Sequence, residues 1–70
     1  MNQSSKDTLA KTIKHLREKQ GLSREKLARL ADVSNNTIFN IESGTQDNPT
    51  IDTLRKIAKA LGVGVDNLIK

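Results

Sequence analysis

Aliphatic side chains recur at spacings of three and four along nearly the whole chain, and each run stops at a residue suited to ending a helix. Leu9, Ile13 and Leu16 share one stripe that closes before Gly21. Leu27, Leu30 and Ala31, flanked by Ala28, form a second, short stripe behind the capping residue Ser23. A third helix starts after Ser34 and stops at Gly44, with Ile38 and Ile41 inward. A fourth runs from Thr50 or Ile51 to Leu61, placing Ile51, Leu54, Ile57, Ala58 and Leu61 inside one arc before Gly62. Val63, Val65, Leu68 and Ile69 imply a last helix of one or two turns that helps close the core. No strand-like alternation or internal repeat interrupts this pattern.

An all-α fold follows, and composition agrees with it. With one Phe and no Cys, Trp or Tyr, the core must be built from Leu, Ile, Val and Ala, which suits closely packed helices. Seventy residues enclose a single core, so a multi-domain machine is excluded. Residues 1–5 are expected to form a flexible tail and 6–70 the domain. The one genuine loop is Thr45 to Pro49, with Asn48-Pro49 directing the exit into the fourth helix.

Twelve Lys and Arg against eight Asp and Glu give a net charge of +4 and a pI near 9.8, which favours polyanionic partners. Cysteine is absent, so disulfides and cysteine-rich zinc sites are excluded and an intracellular, cytoplasmic address is the default expectation. No apolar run approaches the roughly 18 residues of a membrane span. His15 stands alone, opposite the apolar stripe of the first helix, without a second histidine as co-ligand. No Gly-rich phosphate loop exists, and the serines sit at caps without a neighbouring base, so neither catalysis nor a cofactor is expected.

The informative stretch is Ser23 to Gly44, SREKLARLADVSNNTIFNIESG, where two short helices meet across a turn at Asp32, Val33 and Ser34. This spacing resembles a helix-turn-helix, whose helices cross closely and need a small residue midway along the first, where Ala28 stands. Leu27, Ala31, Val33, Ile38 and Ile41 fill the inner angle, and the turn needs a residue tolerant of positive φ, here Asp32.

On the outward face of the third helix, with Asn35 set at zero, Phe39 falls near 40°, Asn36 near 100° and Asn40 near 140°. An Asn amide offers acceptor and donor together, which matches the N7 and N6 edge of adenine in the major groove, and Phe39 suits a thymine methyl group. The alternative for the same residues is an ordinary solvated face, with Phe39 packed partly against a neighbouring helix. Three Asn and the only aromatic on the helix 35–42 favour base contact.

Gly21-Leu22-Ser23, Ala28, Val33-Ser34, Ile41-Glu42-Ser43-Gly44 and Ala58-Lys59-Ala60-Leu61-Gly62-Val63 together resemble the Cro/C1-type (Xre) family over about 60 residues. That resemblance implies a compact five-helix, lambda-repressor-like domain containing a helix-turn-helix. It further implies a sequence-specific double-stranded DNA-binding regulator, prokaryotic or phage, most often a repressor, acting as a homodimer on a pseudo-palindromic operator. Where relatives commonly carry Gly this chain has Asp32, and where they often carry Gln it has Arg24.

Phosphate contacts are expected from Ser23, Arg24, Ser34, Thr37, Thr45, Gln46 and Asn48, through helix N-termini and neutral donors. Asp47 in the same loop opposes a phosphate. Residues 23–50 carry three bases and four acids, so the reading helix is not itself basic and a shallow salt dependence is expected. In the resembling family the places of Arg17 and Glu42 hold a partly buried ion pair. Two other readings remain open: a protein-interaction module that keeps the fold and uses Phe39 and the apolar C-terminal segment, or the DNA-targeting domain of a larger protein.

Overall fold

A computed structural model describes residues 5–45 and 49–69. Among them run five helices in the order α1 (Ser5–Lys19), α2 (Arg24–Ala31), α3 (Asn35–Ser43), α4 (Ile51–Leu61) and α5 (Val65–Ile69). The expected tail at 1–4 lies outside the described residues, and α1 already includes Ser5.

Each middle helix begins at the hydroxyl residue that the sequence pattern places there. Ser23, Ser34 and Thr50 are extended, and their side-chain oxygens accept from the backbone N–H of Lys26, Thr37 and Thr53. Three helices also end alike. Leu22, Val33 and Val63 donate back to Arg17, Ala28 and Ala58, while Gly21, Asp32 and Gly62 donate to Glu18, Arg29 and Lys59. This double closure puts the middle residue in the left-handed region and turns the next apolar residue back onto the core. Asp32 does so with φ 60° and ψ 45°, as the turn between α2 and α3 requires.

The core draws on every helix: Leu9 and Ile13 from α1, Leu27, Ala28 and Ala31 from α2, Ile38 and Ile41 from α3, Leu54, Ile57, Ala58 and Leu61 from α4, and Leu68 from α5. α2 packs on both α3 and α4, and α1 packs on α3 and α5. Ala28 is buried at this crossing, where a larger side chain would push the helices apart. Gln20 donates from its amide to the Leu61 carbonyl at 2.7 Å, tying the α1–α2 link to the end of α4.

Two core expectations are corrected. Leu30 is 52% exposed and Ile51 56% exposed, although the apolar spacing puts both on inward stripes. On the helical wheel Leu30 lies about 110° from the centre of the arc filled by Leu27, Ala31 and Ala28, so the short α2 has no neighbour left to cover it. Ile51 is the first residue of α4, roughly 70° off the arc of Leu54, Ile57, Ala58 and Leu61. Within the last segment Leu68 is fully buried, Val63 and Val65 pack against the core, and Ile69 is exposed.

Candidate nucleic-acid interface

The orientation of α3 decides which of its side chains meet solvent. Ile38 and Ile41 are fully buried, so the opposite side of the helix must face outward. Asn35, Asn36 and Phe39 are exposed there, and Asn40 is half-buried because it sits on the flank of the same face. Phe39, 49% exposed, has one side of its ring covered by Arg24 from α2, whose guanidinium carbon lies 5.1 Å from the ring centroid. That separation is within the range of a cation–π contact. Arg24 and Phe39 are on different helices, and no spacing rule in the sequence announces their pairing.

The hydroxyls around this face are engaged in capping. Ser34 Oγ accepts from the Thr37 N–H at 3.0 Å and lies 2.8 Å from Thr37 Oγ1. Ser23 Oγ accepts from the Lys26 N–H at 2.9 Å. A serine that accepts at a cap retains its own O–H as a donor. At the far end of α3 the Ser43 hydroxyl donates to the Asn40 carbonyl at 3.1 Å and lies 3.0 Å from Thr45 Oγ1. The expected contacts at Gln46 and Asn48, and the opposing Asp47, lie outside the described residues.

Behind the face, α3 is locked to α1 by an ion pair. Arg17 Nε donates to Glu42 Oε2 at 2.6 Å and Nη2 to Oε1 at 3.0 Å, while Nη1 donates to the Leu22 carbonyl at 2.7 Å. The side chains are only 10% and 3% exposed. The two-point fork fixes the relative rotation of α1 and α3, and the third bond fastens the link into α2. That third bond was not anticipated from the sequence.

The hydrogen bonding of Arg17 to the Glu42 carboxylate raises the Arg17 pKa above its ordinary value, against the opposing effect of burial, with further help from the charges of Glu42 and Glu18. A cation whose pKa rises on folding stabilises the fold at every pH below its unfolded value, and that contribution fades only as pH climbs through the raised one. For arginine both lie in strong alkali, so its half of the pair is constant through the neutral range.

His15 is exposed on α1, away from this face. Among the described residues no cluster of His, Cys, Asp or Glu is arranged to hold a metal ion, and no helix is long and apolar enough to cross a membrane.

α2 and α3 cross over Ala28 and are joined by the left-handed turn at Asp32, and the helix-turn-helix family model (HTH_3) matches residues 13–68. The chain belongs to the helix-turn-helix family. In sequence it is 34% identical over 61 residues to the HTH-type transcriptional regulator SinR of Bacillus subtilis, covering 87% of this chain and 55% of SinR. The chain thus spans about half the length of that relative. Among solved structures, the helix-turn-helix domain superposes on SinR, the master regulator for biofilm formation, in complex with DNA. The TM-score is 0.86 at 34% identity, covering 89% of this chain and 98% of that one. The restriction-modification controller protein C.AhdI from Aeromonas hydrophila gives a TM-score of 0.85 at 27% identity, covering 90% and 94%.

Proposed function

We propose that this chain is a sequence-specific double-stranded DNA-binding transcriptional regulator, acting as a repressor, that places α3 in the major groove. The observation that carries the reading is the division of α3 into two faces. Ile38 and Ile41 are sealed in the core, while Asn35, Asn36 and Phe39 stand in solvent with Asn40 beside them. A helix held this rigidly from behind can present amides to adenine edges, each bidentate pair discriminating by about 1–3 kcal/mol.

Ser23, Ser34, Thr37 and Thr45 surround this face and meet the phosphates through hydroxyl and backbone N–H donors, joined by Gln46 and Asn48 from the loop. Arg24 supplies positive charge at the same edge. The resemblance to a SinR chain crystallised with DNA supports the partner class. One short helix reads only a few base pairs, so the protein acts as a homodimer on a pseudo-palindromic operator with half-sites about one helical turn apart. The domain starts with α1 at Ser5 and works in the cytoplasm on the nucleoid.

Selection from a random duplex pool tests this directly. Enrichment of an A/T-containing inverted repeat is expected, with a shallow loss of affinity as salt rises, because each neutralised phosphate adds a slope of only about −0.9. Indifference to every duplex at low salt overturns the reading in favour of a protein-interaction module.

A further inference from the structure

The Arg24 guanidinium is placed differently from an arginine that only attracts phosphate. It lies over the Phe39 ring at 5.1 Å, and Phe39 belongs to the outward face of α3. None of the ion pairs among the described residues involves Arg24. Arg24 itself is exposed, so its five N–H donors stay accessible to a ligand beside the ring. A phosphate contact asks only for charge and reach. Contact with a ring restricts a long side chain, and that restriction serves a target that needs two donors side by side at a set angle.

Guanine is that target in the major groove, since its O6 and N7 are adjacent acceptors. The amides of Asn35, Asn36 and Asn40 pair an acceptor with donors and match adenine instead. Arg24 therefore adds a chemistry that α3 lacks.

We propose that Arg24 and Phe39 form one reading unit: Arg24 donates two hydrogen bonds to O6 and N7 of a guanine beside the bases met by α3, and the Phe39 ring sets the plane of the fork. This rests on the reading that α3 enters the major groove, and it moves Arg24 from the phosphates to a base edge. The unit makes one position of each half-site a guanine, although no guanidinium is carried by α3 itself.

The test is selection of bound duplexes by the full chain and by its Arg24→Lys and Phe39→Leu variants. The intact protein is expected to enrich one guanine per half-site. Arg24→Lys keeps the charge but loses the fork, so the guanine preference disappears while the A/T positions persist; Phe39→Leu weakens the same preference. Replacing that guanine by 7-deazaguanine removes N7 and lowers the affinity of the intact protein about tenfold, with no further loss in Arg24→Lys. Arg24→Lys selecting the same guanine as the intact protein overturns the proposal. So does an Arg24→Ala variant that binds all sequences uniformly less well with a salt slope smaller by about 1, because that is the signature of a phosphate contact. An A/T motif without an Arg24-dependent guanine overturns the reading unit alone, whereas enrichment of no duplex at all removes the major-groove reading with it.

Discussion

Arg17 and Arg24 flank the same short link between α1 and α2, yet the fold commits them to opposite tasks. Arg17 is nearly enclosed, and its fork is divided between Glu42 on α3 and the Leu22 carbonyl in the link itself. Arg24 starts the next helix, stays in solvent and touches the aromatic ring on the other side of α3. One arginine thus holds α3 from behind and the other lies across its front. A guanidinium stripped of water must find acceptors for its donors, so its partner is decided by stability. An exposed one keeps its hydration and is available to a ligand. The comparison teaches that charge alone does not mark a DNA contact in this domain, and that removing either residue reports on a different property.

Glu42→Ala strikes the buried side hardest. It leaves the Arg17 charge enclosed without its carboxylate, and the unfolding free energy is expected to fall by about 3 kcal/mol. The change is read as a lower urea midpoint at unchanged slope, and a loss below about 0.5 kcal/mol would place the pair among ordinary surface contacts. Arg17→Ala should follow the same direction and disturb DNA binding only indirectly, through the angle of α3.

On the front, Asn36→Ala is expected to cost about 1–3 kcal/mol of discrimination at one operator position while leaving the unfolding midpoint in place. Loss of affinity spread evenly over all sequences would show that Asn36 touches the sugar-phosphate backbone instead. Asp32→Gly sharpens the contrast from the turn between the two helices. Its left-handed φ of 60° costs an L-residue strain that glycine avoids, so this variant should be more stable by about 1 kcal/mol or less, with unaltered base preference. The smallest expected change is the stability of Arg24→Ala, within about 0.5 kcal/mol of the intact chain in the same urea titration, because the cation–π contact is solvent-exposed. A large destabilisation there would make Arg24 a second structural arginine and erase the distinction.

Much of the architecture was legible before any coordinates. Cap residues at Ser23, Ser34 and Thr50, and stop residues at Gly21, Gly44 and Gly62, mark boundaries because their chemistry acts on groups within one turn. The two faces of α3 were legible for the same reason, since helical periodicity is a local property. Leu30 and Ile51 were misplaced because a wheel identifies an apolar side chain, whereas burial depends on whether another helix is present to cover it. The resemblance, rather than periodicity, suggested Arg17 with Glu42, which stand 25 residues apart.

The amino-acid order by itself determined that the chain is helical, where its central helices begin and end, and that one of them carries amides opposite aliphatics. Those outcomes rest on hydrogen bonds and side-chain spacing within a few residues of each other. Only the packed structure decided which arginine is enclosed, that Arg17 also grips the Leu22 carbonyl, that Arg24 comes to lie on Phe39, and that Leu30 and Ile51 stay uncovered. Each depends on the crossing of helices remote in sequence, which is fixed by how the whole core fills space.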